Sequence, residues 1–299
     1  MFGLVIHQTL QSVALAKRGE EFLGKLEIIT SIGLALRALE THGGTVVNAD
    51  SRQLINALPI LTAAPEPRPD HVLYGVCGPE ETVSAGRFFR MVAALEAPKP
   101  WWIVGGTGFY LHALAQGLSP IPEVAIPVSD APTDTLFAQL AALDSAWAQK
   151  IGPTDRQRIL RGISVFEQTG RRLSDWHNEP RVPLFPHAQT LWVNPPRAQL
   201  LQNIDRRLDA MLDQGVLEEV RAFDRQHPNS IFSPIGLGPM RAFLAGTLSK
   251  NAMCAAVSIE TRQYAKRQTT WFRHQTRAHW VLSEAEHVNE FLKTVTHCC

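Results

Sequence analysis

Residues 101–110 read WWIVGGTGFY and contain the pattern that decides the fold. The four apolar residues predict a short buried strand, and Gly105 and Gly106 end it where the backbone must turn or approach another group closely. Thr107 then begins a predicted helix that continues to residue 115. A strand followed by a tight turn and a helix is the repeating unit of a parallel α/β sheet.

The same alternation continues on both sides of this unit. Three further apolar runs predict strands, at residues 4–7, 44–47 and 190–193. Residues 33–41 predict a helix between the first two of these strands, and Gly43 with Gly44 ends it. The chain therefore belongs to the α/β class, with a parallel sheet at its centre.

A helical segment interrupts the sheet pattern. A proline-rich stretch begins at Leu118 and leads into two predicted helices, at residues 134–151 and 155–169. Residues 179–186 then return the chain to a predicted strand. The expected domains are a helical insertion at 118–186, and an α/β core made of 1–117 with 187–299.

The C-terminal third predicts two long helices with a basic surface. Asn194 followed by two prolines is typical of a helix start, and a second helix is predicted over residues 250–275. From Arg197 to Arg277 there are twelve Arg and Lys against seven Asp and Glu, although the whole chain has a net charge of only +1. Such a surface could bind phosphate groups, or it could be an ordinary solvated helix face.

Composition excludes several classes of protein. With 299 residues, 45% hydrophobic and 19% charged, the chain is of an ordinary globular type. No apolar run reaches the roughly 18 residues that a membrane helix needs, and residues 1–22 lack the basic start of a secretory signal. The four cysteines form no CxxC pair, which argues against a zinc site or a disulfide framework. We expect a cytoplasmic protein with no membrane partner.

Two loops that follow predicted strands could carry chemistry. In VVNADSRQ, residues 46–53, a strand leads into Asp50 and Ser51. Ligands bind at this edge of open α/β sheets, and a carboxylate there could accept a proton from an amine or hold a metal through water. Asp50 could equally just cap the next turn. The GGTG turn offers the hydroxyl of Thr107, although that turn is also compatible with a simple connection from strand to helix.

Two basic segments could contact RNA. In residues 155–171, Arg158 and Arg161 lie three positions apart with Gln157 beside them, a set suited to phosphates and base edges. Residues 261–275, TRQYAKRQTTWFRHQ, mix cations and amides with aromatic rings that could stack on bases. Each segment is also compatible with an amphipathic helix that packs its apolar side chains inward.

Together these segments resemble the tRNA dimethylallyltransferases, also called tRNA isopentenyltransferases or IPP transferases. Six strings match in the family's order: GGTVVNADSRQL at 43–54, SAGRFF at 84–89, VGGTGFYLHALAQGLSPIPE at 104–123, DRQRILRGISVFEQTGR at 155–171, NPPRAQLLQNIDRRLDAMLDQGVLEEV at 194–220 and TRQYAKRQTTWFR at 261–273. No single string is decisive, but six in order are highly specific.

The resemblance implies a P-loop-type α/β core with a helical insertion that swivels onto the tRNA. It implies transfer of a dimethylallyl group from dimethylallyl diphosphate to N6 of adenine 37, in the anticodon loop of tRNA. Mg²⁺ would assist the departure of diphosphate, and ATP would not be consumed. The adenine would be flipped into a channel, where its amine meets the donor from the opposite side. We expect the protein to be a monomer.

The resemblance also assigns roles to individual residues. Asp50 matches the family's general base, Thr107 matches a channel residue that supports this base, and Arg207 matches an arginine that helps to hold diphosphate. The implied tRNA contacts are Asp50, Ser51, Arg52, Gln53, Gln157, Arg158, Ile159, Leu160, Arg161, Lys266, Arg267, Gln268, Thr269, Thr270, Trp271, Phe272 and Arg273. The metal ligands are not assigned.

One motif of the family has no counterpart. A Walker-type loop, GPTxSGK followed by Ser or Thr, normally cradles the diphosphate after the first strand. If the loop is placed by counting back from the string at residues 43–51, it should occupy residues 25–32. Ser31 then stands at the position of the lysine. If residues 4–7 are the first strand, residues 8–12 stand in its place. The alternatives are therefore an active transferase and a catalytically impaired, tRNA-binding relative without a working diphosphate loop.

Overall fold

The computed structural model describes residues 3–8, 31–276, 278 and 280–282. Its strands are β1 (Gly3–Gln8), β2 (Thr45–Asn48), β3 (His71–Val72), β4 (Trp101–Gly105), β5 (Gln189–Val193) and β6 (Trp280–Leu282). They form one parallel sheet in the order β3-β2-β4-β1-β5-β6. The predicted α/β fold with a parallel sheet is confirmed.

The described helices follow these strands in the expected alternation. They are α1 (Ser31–His42), α2 (Pro59–Thr62), α3 (Ala85–Ala93), α4 (Gly108–Gln116), α5 (Thr133–Leu143), α6 (Ser145–Ala148), α7 (Arg156–Thr169), α8 (Leu173–His177), α9 (Arg197–Asp213), α10 (Val216–Gln226), α11 (Leu237–Leu244) and α12 (Lys250–Gln275). The predicted bounds of α12 are confirmed to the residue. All the described helices are too short or too polar to traverse a lipid bilayer.

The central strands are buried along their whole length. Every residue of β2 and β4 is buried, as expected for parallel strands that are covered on both faces. Helix α1 packs Leu34 and Ala38 into a cluster that contains Val104 of β4 and Leu191 of β5. This packing leaves the carboxyl ends of the strands as the place where polar loops can gather.

The position of β1 distinguishes between the two placements of the family's phosphate loop. β1 lies at the centre of the sheet, paired with β4 on one side and β5 on the other. The run at residues 4–7 is therefore the first strand, which supports the placement at 8–12. Residues 9–12, and residues 25–30 of the other placement, lie outside the described residues.

The chain divides into two compact units, Met1–Ala115 with His187–Cys299, and Gln116–Pro186. The second unit contains α5 to α8. In its core, Leu136 and Leu140 of α5 pack with Ile159 and Ile163 of α7. A role for this unit in closing onto tRNA stays a prediction.

Three local predictions are wrong. The helix expected at 134–151 breaks at Asp144, whose non-helical backbone ends α5 and whose side chain caps α6 by accepting from the Trp147 amide. Residues 179–186 are described but form no strand, because their three prolines lack amide donors. Asn194 does not cap α9, which begins after Pro196; its amide instead donates to the Leu282 carbonyl at 2.8 Å.

Asp144 is the polar centre of the helical unit. It is almost fully buried, and its second carboxylate oxygen accepts from the Ser174 amide at 2.9 Å. Burial by itself raises the pKa of Asp144, but the hydrogen bonds from Ser174 and Trp147 outweigh it, so the pKa lies below its usual value. The carboxylate therefore stabilises the folded unit at neutral pH, and this contribution is lost as the pH falls through the lowered pKa.

Replacing Asp144 with asparagine tests this contribution. Because one of its two amide donors would lose its acceptor, we expect Asp144→Asn to lower the free energy of unfolding by about 1–3 kcal/mol at neutral pH. Denaturant unfolding monitored by circular dichroism measures the loss, with Asp134→Asn on the exposed surface of α5 as the control. The difference from wild type should narrow at acidic pH; equal stability of the two variants at neutral pH would contradict the role.

Candidate active site

Asp50 is held at the carboxyl end of β2 by the side chain of Asn48. The Asp50 amide donates to Asn48 Oδ1 at 2.9 Å. Asn48 Nδ2 donates to the carbonyls of Asp50 at 3.2 Å and Leu73 at 2.9 Å. Asn48 has no exposed surface, so its side chain serves only to shape this loop. Sequence reasoning missed this residue, although an asparagine just before a turn is a known signal of such bonding.

The surroundings of Asp50 change its acidity. Its carboxylate is buried and accepts from the Arg52 amide at 2.8 Å. Burial raises the pKa of Asp50, while the Arg52 amide and the charges of Arg52 and Arg207 act in the opposite direction. The net effect is a raised pKa, which makes Asp50 a stronger base than an exposed carboxylate.

Thr107 connects the loop of Asp50 with the GGTG turn. Its Oγ1 accepts from the Ser51 amide at 2.9 Å and donates to Ser51 Oγ at 3.2 Å. The Thr107 amide also donates weakly to the Ala49 carbonyl, at 3.4 Å. The two residues to which the sequence assigned catalytic roles, Asp50 and Thr107, therefore belong to one hydrogen-bonded loop pair.

The glycines of the turn allow close approach of α12. A Cβ on Gly106 would lie 2.3 Å from Gln268 Nε2, and a Cβ on Gly108 would lie 2.2 Å from Trp271 Cδ1. Gln268 Nε2 donates to the Gly106 carbonyl at 2.8 Å. The glycines of the GGTG turn thus permit this packing, because a side chain at Gly108 would clash with the Trp271 ring and one at Gly106 with the end of the Gln268 side chain.

A cavity that opens to solvent lies in front of Asp50, with about 80 Å³ available to the centres of water-sized molecules. Its polar lining comes from Asp50, Arg52, Thr62, Arg207, Ser258, Thr261, Tyr264 and Gln268. Its main apolar lining comes from Leu61, Ile204, Leu208, Met211, Ile235 and Val257. A cavity that combines an apolar surface with a carboxylate and a guanidinium suits a ligand that has a hydrocarbon part and an anionic part.

Arg207 is the less exposed of the two arginines that line the cavity, the other being Arg52. Burial lowers the pKa of Arg207 to about 10, although the nearby Asp50 carboxylate opposes the decrease. Arg207 remains charged at neutral pH, so it can bind an anionic group inside the cavity. Burial also raises the pKa of Tyr264, and the negative charge of Asp50 adds to this increase.

Comparison with known proteins gives the family. The IPP transferase family model matches residues 53–275. A tRNA dimethylallyltransferase of Mesorhizobium japonicum is 39% identical over 269 residues, which are 83% of this chain and 84% of that protein. A tRNA dimethylallyltransferase of Parvibaculum lavamentivorans is 42% identical over 267 residues, 81% of this chain and 84% of that protein. The chain belongs to the IPP transferase family.

Solved structures show the same fold. A eukaryotic dimethylallyltransferase acting on tRNA aligns with a TM-score of 0.76 at 22% identity, covering 98% of this chain and 80% of that one. The tRNA delta(2)-isopentenylpyrophosphate transferase of Staphylococcus epidermidis aligns with a TM-score of 0.62 at 21% identity, covering 100% and 99%. The P-loop-type α/β core expected from the sequence is the fold of these IPP transferases.

The structure separates the family's expected tRNA residues on α12 into exposed and buried groups. Lys266, Arg267, Thr270 and Arg273 are exposed, and Thr269 is half-buried. Phe272 is buried in the core, and Gln268 is buried and donates to the Gly106 carbonyl, so neither side chain lies on the exposed face of the helix. Trp271 lies against Gly108, with its ring edge-on to Phe109 at 6.2 Å, which makes it a packing residue of this IPP transferase. Arg277 lies outside the described residues.

The other expected tRNA residues divide in the same way. On α7 of the helical unit, Gln157 and Arg158 are exposed and Leu160 with Arg161 are half-buried, whereas Ile159 is completely buried. In the α/β unit, Ser51 is half-buried and Arg52 is exposed. Gln53 is only 1% exposed, because its Nε2 donates to the carbonyls of Thr62 and Ala63. The side chains of Gln53 and Ile159 therefore face the protein interior, and tRNA contact by these two residues stays a prediction.

The residues present are compatible with a substrate-bound magnesium ion. Among the residues that the structure describes, no group of three His, Cys, Asp or Glu side chains is arranged to hold a metal. Mg²⁺ commonly binds through one or two carboxylates, with waters and substrate phosphates as the other ligands. Asp50, which lines the cavity, could supply one such ligand.

Alanine at Gly108 tests the close packing of α12 on the GGTG turn. We expect Gly108→Ala to destabilise the protein by about 1–3 kcal/mol and to alter the fluorescence of Trp271, because the new methyl group would displace the indole ring. Thermal unfolding and tryptophan emission measure both effects. Gly238→Ala is the matched control, since a Cβ there meets nothing within 4 Å and α11 should gain stability. Equal behaviour of the two variants would exclude the proposed packing role.

Proposed function

We propose that this IPP transferase moves a dimethylallyl group from dimethylallyl diphosphate to N6 of adenine 37 in tRNA. Family membership and the curated relatives support the reaction type. The observation that carries the proposal is the cavity in which a buried carboxylate, Asp50, lies near the half-buried guanidinium of Arg207. The Asp50 carboxylate suits the acceptance of a proton from an amine, and the Arg207 guanidinium suits the binding of an anionic leaving group.

In the proposed step, the N6 amine attacks the first carbon of the dimethylallyl group. The new C–N bond forms as the C–O bond to diphosphate breaks, and diphosphate departs with the electron pair of that bond. Asp50 accepts the proton that N6 loses, and its raised pKa favours this transfer. Arg207 holds the departing diphosphate, whose negative charge increases during the reaction.

Mg²⁺ bound to diphosphate would neutralise part of this charge. The described side chains have their own roles in the step. Thr107 fixes the loop of Asp50 through Ser51, and Asn48 fixes the Asp50 backbone. These contacts keep the base in one position, which is required for efficient proton transfer.

We further propose that tRNA binds to the exposed cations of the two units. On α12 these are Lys266, Arg267 and Arg273, and on α7 they are Arg158 and the half-buried Arg161. Phosphate contacts of this kind position an RNA without reading its sequence. A monomer in the cytoplasm, where tRNA is modified, is part of this proposal.

Asparagine at Asp50 tests the general base. We expect Asp50→Asn to lower the rate of transfer about 10²–10⁴-fold, because the amide cannot accept the N6 proton. Mass spectrometry of N6-dimethylallyladenosine in tRNA measures the product. In wild type the rate should rise with pH through the raised pKa of Asp50, since only the carboxylate is a base, and the variant should lose this dependence. A Thr107→Ser control keeps the supporting hydroxyl and should remain active; an Asp50→Asn variant with wild-type rate would refute the role.

Removal of two cations from α12 tests the RNA surface. We expect Lys266→Ala with Arg273→Ala to weaken tRNA binding and to reduce the slope of log affinity against log salt by roughly 1–2, because fewer phosphate contacts release counterions. Filter binding over a salt series measures this slope. Arg221→Ala with Arg225→Ala on α10 removes the same charge elsewhere; an identical loss from both pairs would argue against a specific surface.

The impaired alternative makes a different prediction for the unmodified chain. A relative without a working diphosphate site would bind tRNA through the same cations but leave adenine 37 unmodified. Expression of the wild-type chain in a strain that lacks its own enzyme distinguishes the two functions. We expect N6-dimethylallyladenosine to appear in the tRNA, and its absence would support the impaired relative.

A further inference from the structure

Helix α2 is a single turn with an unfavourable backbone at both ends. Leu58 precedes it with φ 53° and ψ 49°, and Ala63 follows it with φ 52° and ψ 44°. Both residues are in the left-handed region, which side chains with a Cβ disfavour. Such conformations persist only where surrounding groups hold them, and they cluster at functional sites.

Two side chains hold this turn, and one of them comes from a distant part of the chain. At its start, Glu219 of α10 accepts from the Ile60 amide at 2.8 Å with one carboxylate oxygen, and from the Leu61 amide at 3.0 Å with the other. At its end, Gln53 Nε2 donates to the carbonyls of Thr62 at 3.1 Å and Ala63 at 2.8 Å. Three backbone groups of α2 and the carbonyl of Ala63, the residue that follows it, are therefore bound by two side chains.

The same turn forms part of the surface of the cavity. Leu61 and Thr62 both line the space in front of Asp50. Leu61 also belongs to the apolar cluster beneath α2, which includes Val216 and Val220 of α10. Glu219 thus connects a helix that does not line the cavity with a turn that does, and any movement of α2 would change the width of the cavity.

We propose that Glu219 is a positioning residue for the prenyl donor: with Gln53 it holds α2 in its strained form, so that Leu61 and Thr62 fit the donor. This inference rests on the proposed function, because it assumes that dimethylallyl diphosphate occupies the cavity. Glu219 does not line the cavity, so its proposed effect on donor binding is exerted through α2. A role confined to stability would leave donor binding unchanged.

Hydrogen exchange tests the contact itself, independently of any activity. We expect Glu219→Ala to increase the amide exchange of residues 58–64 in the full-length protein, because Ile60 and Leu61 lose their acceptors. Glu218→Ala is the matched control. Glu218 is the preceding residue of α10, largely exposed and paired only at the surface with Arg221. Unchanged exchange in Glu219→Ala would overturn the proposal.

Kinetics test the consequence for the donor. We expect Glu219→Ala to raise the KM for dimethylallyl diphosphate roughly tenfold, the effect of about one charge-assisted hydrogen bond, while the KM for tRNA changes little. Glu219→Gln retains one acceptor oxygen and should give an intermediate increase. If Glu219→Ala does not fold, the KM of Glu219→Gln for dimethylallyl diphosphate provides the test instead. Leu191→Ala, in β5 away from the cavity, provides a destabilised protein with α2 still held at both ends.

The outcomes separate this inference from the proposed function. A wild-type chain that makes no N6-dimethylallyladenosine would refute the proposed function itself. An active wild type whose Glu219 variants keep the donor KM would overturn only the positioning role. Equal increases in donor KM for Leu191→Ala and Glu219→Ala would also overturn it, because the effect would then follow stability alone.

Discussion

The site depends on the contact between the loops that follow β2 and β4. These neighbouring strands pair in parallel, with Asn48 beside Val104, so their loops emerge at the same edge of the sheet. Gly105 lies so close to the backbone of Ala49 that a Cβ there would be 2.1 Å from the Ala49 carbonyl carbon. This approach allows Thr107 to bond to Ser51, and this bond together with those from Asn48 fixes the loop of Asp50. Without the parallel register, the two catalytic candidates would not share one site.

The same turn also determines where the C-terminal helix can pack. Gln268 and Trp271 of α12 occupy the space that side chains at Gly106 and Gly108 would fill. This places Tyr264 and Gln268 on the cavity, while Lys266 and Arg273 face outward on the same helix. Helix α12 therefore contributes to both parts of the proposed function. Its inward face lines the cavity proposed for the donor, and its exposed face carries the cations proposed to bind RNA.

Local patterns in the sequence predicted much of this arrangement, but they could not predict contacts between residues far apart in the chain. The strand and glycine turn at residues 101–106 and the full length of α12 were recognisable, since each is encoded by adjacent residues. The family resemblance located Asp50 and Thr107, but it could not show that Gln53 and Ile159 face inward, because burial depends on packing partners elsewhere. The bonds from Glu219 to α2 join residues about 160 positions apart, and no spacing rule relates them. The break at Asp144 came from a buried side chain that competes for the helix backbone.

The closeness of Asp50 and Arg207 in one cavity explains how it could serve two charge changes. Loss of solvation disfavours the charged form of each group, which raises the pKa of Asp50 and lowers that of Arg207, while each charge stabilises the other. In the proposed reaction, Asp50 becomes neutral when it accepts the N6 proton, so its electrostatic attraction for Arg207 is lost. The departing diphosphate brings negative charge toward Arg207 in the same step. Proton transfer and loss of diphosphate therefore favour each other, because negative charge lies near the guanidinium throughout the reaction.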